Sequence, residues 1–250
     1  MIVLVIDTSG EKGNLCLGKE GKVLDIRKLP PRSSSESIFP ALNKLIGENN
    51  LNIKDLQGII VNLGPGSFTG LRIGLSLAKS LSFSLKVPLA GVPLLDSWAF
   101  FAPEEGIICP LRQAYKERFY GAFYKRDAGG ISRITGYLFF SFEEIIERAK
   151  EFSPQKVTFL ISNENRKIRD KMKKTRDFFT YFIENSLSLK ILLDFGIKRI
   201  EEGKIDKFYT LVPLYISPPK IGLIREEKLE RAIGREDKNL SDEKRGFSRS

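Results

Sequence analysis

The stretch Gly64-Pro-Gly-Ser-Phe-Thr-Gly-Leu-Arg-Ile-Gly74 constrains this chain more than any other. An apolar run over residues 58–63 leads into it, and a helix-like segment over 71–85 leads out. The pattern reads as strand, glycine turn and helix. Glycine reaches backbone angles closed to other residues and lets a second backbone or a ligand come close. A helix that starts after such a turn presents N–H groups that attract anions. Gly64, Gly66 and Ser67 are therefore candidates for a phosphate site; the plainer reading is a turn that seats the helix on a sheet. Two common nucleotide motifs are excluded. The third glycine, Gly70, is followed by Leu71 rather than by Lys-Ser/Thr, and Gly64, Gly66 and Gly70 are spaced one residue too widely for G-x-G-x-x-G. Within the helix, Gly70, Gly74, Ala78 and Ser82 recur every four residues and form a ridge of small side chains on one face. Two helical glycines cost roughly 1 kcal/mol each against alanine, so another element is expected to lie close. If that element is a partner protein, Gly74→Leu should break the association and leave the fold intact.

The ends of the chain frame this unit. Residues 1–7, Met-Ile-Val-Leu-Val-Ile-Asp, have no basic leader and read as a first strand rather than a signal peptide. The strand ends in Asp7-Thr8-Ser9, and strands over 13–18 and 22–28 follow as hairpins. Pro30-Pro31 breaks the chain. A helix through Ile46 comes next, with its start expected near Ser37 because Pro40 is best tolerated in a first turn. Its apolar face holds Ile38, Leu42, Leu45 and Ile46, with Phe39 alongside. After strand 58–62 and the glycine turn come strand 88–92 and a helix around 94–101. The resulting βββαβαβα order fits a mixed sheet flanked by helices.

A seam is expected at residues 103–106. Beyond it, residues 107–111, 118–125, 131–140, 157–161 and 178–183 read as strands. Ser141-Phe-Glu-Glu144 reads as a capping box opening a helix, and Ser186 opens another, ended by Gly203. Residues 211–216 read as an extended exit. The boundaries are thus 1–102, 103–219 and a charged tail, 220–250, with one short helix followed by disorder.

Composition removes several chemistries. The 250 residues contain no histidine, which rules out Ser-His-Asp and Cys-His nucleophile systems and histidine metal sites. The two cysteines, Cys16 and Cys109, lie in apolar segments and read as buried thiols. No metal set is evident. No apolar run reaches the ~18 residues of a membrane helix, and a cytoplasmic location is expected. The net charge is +10. Its densest patch, residues 166–176, carries seven basic residues against one acidic. Arg166, Lys167, Arg169, Lys171, Lys173 and Lys174 are candidates for tRNA contact, or for a solvated helix face.

Taken together, Ile6-Asp-Thr-Ser9, Pro31-Arg-Ser-Ser-Ser-Glu36, the Gly64–Gly74 element, Ala78-Lys79, Pro88-Leu-Ala-Gly-Val92 and Pro213-Leu-Tyr215 resemble the TsaB (YeaZ) family of tRNA threonylcarbamoyladenosine synthesis. The resemblance is dense over residues 1–100, looser over 103–219, and does not reach 220–250. It implies an α/β fold of the two-lobed actin-like ATPase (ribonuclease H-like) class, with mixed sheets flanked by helices and a smaller, degenerate second lobe. In that superfamily a carboxylate and hydroxyls such as Asp7, Thr8 and Ser9 begin a phosphate site, here expected to be vestigial. The resemblance also implies a non-catalytic scaffold that binds TsaD and, through it, TsaE. That complex transfers threonylcarbamoyl to the adenosine beside the anticodon of tRNA. No cofactor is implied for the isolated chain; ATP and magnesium belong to the complex. Partner binding is implied for the first two helices, through Phe39, Leu42, Ile46, Gly70, Arg72, Gly74, Leu75, Ala78 and Ser82, with a homodimer through the same helices as an option. Three positions depart from the family. Ser34 stands where a histidine is usual, and Gln113-Ala-Tyr115 replaces an Asp-Ala-Arg run, so the arginine expected there is missing. The alternative is an ATP-binding small-molecule kinase or ATPase of the same fold, with Asp7, Thr8 and the glycine turn holding Mg-phosphate.

Overall fold

The computed structural model describes residues 1–31, 35–115, 117–152, 154, 156–162, 170–172 and 178–217. Met1–Ile216 form one compact unit.

Its first sheet runs in the order β3-β2-β1-β4-β5, with β1 Ile2–Asp7, β2 Lys12–Lys19, β3 Lys22–Pro31, β4 Gly58–Gly64 and β5 Leu89–Pro93. The hairpins pair antiparallel, whereas β4 runs parallel to β1 and to β5. Strand β1 is apolar from Ile2 to Ile6 because both of its faces are covered. Val3 and Val5 point to one core, and Leu4 and Ile6 to another.

The second sheet repeats the plan. Strand β6 (Gly106–Gln113) is central, β11 (Val157–Ser162) is its parallel neighbour, and β12 (Phe179–Ile183) runs parallel on the far side of β11. The antiparallel arm is broken in two. Strands β7 (Phe119–Gly121) and β8 (Tyr124–Asp127) pair with opposite ends of β6, and β10 (Leu138–Phe140) and β9 (Gly130–Arg133) extend them. The continuous strands expected over 118–125 and 131–140 are therefore each interrupted. The cause is local: Phe123 N–H leaves the ladder and donates to Thr135 Oγ1 at 2.9 Å, while Ile134 N–H donates to the Phe123 carbonyl at 2.9 Å. The shared strand order, with its antiparallel second strand, is the ribonuclease H-like arrangement expected of the actin-like class.

Helices separate the layers. Helices α1 (Ser35–Glu48) and α2 (Phe68–Leu85) cover one face of the first sheet through Leu42, Leu45, Leu75, Leu77 and Ala78. Helices α3 (Leu94–Phe100) and α5 (Asn185–Glu201) lie in the core that joins its other face to the second sheet. Helix α4 (Phe142–Lys150) caps the far side, opened by the expected Ser141–Glu144 capping box. Pro40 lies inside α1, which starts before Ser37, contrary to the expectation from the proline. The chain then returns to the first sheet. Asp206 N–H donates to the Leu89 carbonyl, its carboxylate accepts from Gly91 N–H at 2.8 Å, and Leu214 N–H donates to the Leu63 carbonyl at 2.8 Å. Residues 206–215 thus satisfy polar groups along the sheet edge that β5 would otherwise leave open.

Candidate functional site

The C-terminal ends of β1, β4, β6 and β11 converge on one cleft of about 630 Å³. From the first sheet come Thr8, Ser9 and Gly10 after β1, and Gly66, Ser67, Thr69 and Gly70 after β4. Arg112, Gln113 and Tyr115 from the end of β6 and Ser162 from β11 face them. Ligands of open α/β sheets lie beyond such strand ends.

The glycine element builds the floor. Gly64 has φ +103°, which a side chain rarely adopts. A Cβ on Gly66 would collide with the Ser9 carbonyl, one on Gly70 with the Thr8 carbonyl, and one on Gly74 with Thr8 Oγ1. The three glycines, four residues apart, are pressed against the end of β1. Ser67 caps α2 by accepting from Gly70 N–H at 3.2 Å. Asp7 closes the turn from behind. Its Oδ1 accepts from Ser9 N–H (3.0 Å), Ser9 Oγ (2.7 Å) and Asn62 Nδ2 (2.9 Å).

The phosphate candidates therefore divide. Thr8, Ser9, Gly66 and Ser67 line the cleft; Asp7, 7% exposed, and Gly64 do not. Asp7 lies behind the cleft wall, where its Oδ1 holds the turn. The residue that sequence reasoning missed is Arg112. The arginine expected within residues 113–115 is absent, but one immediately before them reaches the cleft: a Cβ on Gly10 would lie 3.1 Å from Arg112 Nη2. Its position next to Gln113 was the available signal.

The partner candidates need a larger correction. Leu42, Ile46, Gly74, Leu75, Ala78 and Ser82 are buried, and Gly70 is closed by Thr8. The small-residue ridge is filled by the protein's own first strand. Gly74→Leu would therefore disrupt the fold itself. Only Phe39, 52% exposed, and Arg72 remain outward. Arg72 is partly engaged: its Nε donates to Tyr215 OH at 3.0 Å and its guanidinium lies 3.9 Å from the Phe68 ring centroid. The exposed row of α2 is instead Ser76, Ser80 and Ser84, with Phe83 65% exposed. The signal for this row in the sequence is the same four-residue spacing that marks the glycines, offset by two positions.

Of the basic patch, Arg166, Lys167, Arg169, Lys173 and Lys174 lie outside the described residues. Lys171 is described and pairs with Glu117 at 3.0 Å. Both cysteines are buried as expected; burial pushes the Cys16 thiol up to about 12 and raises Cys109 as well. Among the described residues, no three of Asp, Glu, Cys and His gather in a metal-binding group, and no helix is long and apolar enough to cross a membrane.

The family model described as TsaD, tRNA N6-adenosine threonylcarbamoyltransferase, matches residues 28–186, more than half of the chain. The chain belongs to the TsaD family. Within that family it resembles the tRNA threonylcarbamoyladenosine biosynthesis protein TsaB of Bacillus subtilis, 31% identical over 137 residues, which are 54% of this chain and 60% of the relative. TsaB of Escherichia coli is 31% identical over 134 residues, 52% of this chain and 58% of that protein. The chain thus spans about 60% of the length of these TsaB relatives. The solved structure of YeaZ from Pseudomonas aeruginosa superposes with a TM-score of 0.62 at 17% identity, covering 86% of this chain and 99% of that one. At that identity the likeness shows the fold.

Proposed function

We propose that the chain acts as a TsaB-type scaffold in threonylcarbamoyladenosine synthesis, docking on a TsaD-type transferase and contributing no chemistry of its own. The observation that carries the reading is the family match over residues 28–186, joined by TsaB relatives at 31% identity. A chain without histidine but built on the transferase's own fold suits a partner better than a second catalyst. In this reading TsaE joins through TsaD, the tRNA is met by the complex, and ATP and magnesium serve the other subunits in the cytoplasm.

Docking runs through the outward layer of α1 and α2. Both helices bury their inner faces in the core on one side of the first sheet, so their outer faces look out from that same side. Phe39 supplies an apolar anchor, and Ser76 and Ser80 a smooth row against which a partner helix can approach closely. A second copy of the chain would compete for the same surface.

Size-exclusion chromatography with the cognate TsaD-type protein tests the reading. One co-eluting peak at micromolar concentration is expected, lost in the Phe39→Asp, Ser80→Arg double variant, which should melt like the parent because both side chains are exposed. Two independent peaks for the parent would sink it. Reconstitution with TsaE, scoring tRNA modification with and without the chain, then tests the role.

A further inference from the structure

A strand at the edge of a sheet leaves alternate N–H and C=O groups without a ladder partner, and proteins blunt such edges with charge, proline, brevity or cover. Most edges of this molecule are blunted. Strand β3 carries Lys22, Lys28, Pro30 and Pro31. Strand β5 is lined by residues 206–215. Strands β9 and β10 are four and three residues long. Strand β12 has none of these devices. It ends the second sheet beyond β11, and among the described residues no strand lies outside it. Its five residues, Phe-Thr-Tyr-Phe-Ile, include no charge, proline or glycine. Phe179 and Tyr181 are 44% and 37% exposed.

We propose that β12 pairs antiparallel with β12 of a second copy of this chain, about a two-fold axis at Tyr181. The inference is independent of the docking reading, because α1 and α2 cover the first sheet whereas β12 borders the second.

The strand is self-complementary. Tyr181 is its middle residue, so a two-fold axis there pairs all five positions: Tyr181 meets its own counterpart, and Phe179 meets Ile183. Opposed aromatic and β-branched side chains stabilise antiparallel pairs, and no like charges face each other. The central ring is already held in place, since Tyr181 OH donates to Glu104 Oε1 at 2.6 Å. Charge selects the register. Lys156 Nζ lies 5.0 Å from the Phe179 ring centroid, and Glu184 follows Ile183. Both are exposed, and neither has an ion-pair partner among the described residues. With Ile183 of one copy against Phe179 of the other, each Glu184 arrives at the end of the strand where the other copy's Lys156 stands. The two-fold axis makes that pairing twice. A parallel alignment would instead bring Glu184 to Glu184 and Lys156 to Lys156. An isologous contact of this kind closes at two copies and leaves no bare edge for further strands.

Sedimentation equilibrium of the purified full chain tests this. A reversible monomer–dimer equilibrium at micromolar concentration is expected, with no larger species. Tyr181→Glu sets two like charges face to face on the axis and should weaken the dimer ten-fold or more. Lys156→Glu and Glu184→Lys should each weaken it three-fold or more, and the two together should restore the parent's affinity within two-fold. That recovery would also show that the single variants fold. Phe39→Asp, Ser80→Arg, on the outer face of α1 and α2, should leave the dimer unchanged. A parent chain that stays monomeric, growth beyond two copies, or a dimer undisturbed by Tyr181→Glu would each overturn the proposal. So would loss of the dimer in the Phe39, Ser80 variant, or a charge exchange no better than its single members.

Discussion

Replacing Gly74 by alanine separates two opposed accounts of helix α2 by the sign of a free-energy change. On an exposed or partner-facing ridge, Gly→Ala removes the backbone penalty of a helical glycine and should stabilise the isolated chain by about 1 kcal/mol. In the structure the new Cβ meets Thr8 Oγ1 and lies 3.2 Å from Ile6 Cγ2. Thr8 is 6% exposed and β-branched, and Ile6 is fully buried, so neither side chain can swing aside cheaply. Overpacking of this kind costs typically ~1–3 kcal/mol. Set against the helix gain, the net change runs from about zero to a loss of about 2 kcal/mol. For a unit of this size each kcal/mol shifts the melting midpoint by about 2–4 °C. Urea denaturation followed by tryptophan fluorescence is suitable, since Trp98 is the only tryptophan and is buried.

Two companions sharpen the reading. Thr8→Ala removes the atom that blocks the new methyl, so Gly74→Ala should be less harmful in that background, with a coupling of about 1–2 kcal/mol. Ser76→Ala, two residues along on the exposed face, should be neutral or slightly stabilising. If Gly74→Ala stabilised the chain by about 1 kcal/mol, with no coupling to Thr8, the packing of α2 on β1 described above would be wrong.

Alkaline pH probes the clasp at α3. Tyr124 and Tyr137 donate to the two oxygens of Asp96 at 2.5 and 2.8 Å, and burial foremost, with that carboxylate, raises both phenols. A raised folded value means that stability is full below the unfolded value near pH 10 and falls as pH rises toward the folded one, by at most about 1.4 kcal/mol per pH unit for each tyrosine. Urea midpoints from pH 9 to 11.5 should fall less steeply in Tyr124→Phe, Tyr137→Phe than in the parent; parallel slopes would dismiss the clasp. Tyr215→Ala removes a ring 4.7 Å from Phe68 and the acceptor of Arg72 Nε, so amide exchange at Leu214 should quicken while strand β4 stays protected. Unchanged exchange at Leu214 would mean that Tyr215 does not hold the returning segment.

The order of elements was legible because it rests on periodicity and on turn residues. The apolar run 2–6, the short turn before residue 22 and the apolar run before Gly64 placed the strands of the first sheet, although β3 continues through Pro30-Pro31, where a break was expected after residue 28. The orientation of α2 was not legible. A row of small residues shows that something approaches closely, but composition does not say whether it comes from within the chain or from outside. Here the neighbour is the turn after β1, brought there by a parallel pairing of β1 with β4 across more than fifty residues of sequence. Arg112 was invisible for a related reason. Its position on a strand end is readable, but its reach to Gly10 depends on how the second sheet faces the first. The interruptions at Phe123 and Ile134 depend on one side-chain hydroxyl, Thr135, taking a place in the ladder.

One structural device underlies the docking proposal. Gly66, Gly70 and Gly74 press the first turns of α2 onto Thr8 and Ser9, which fixes the helix at a single rotation about its axis. That rotation sends Ser76 and Ser80 outward and turns Ser67 and Thr69 toward the cleft. The outward row of α2 is therefore set by the same three missing side chains. The glycine element then has one physical role, a rigid seat for α2, and the docking face proposed for the helix follows from that seat.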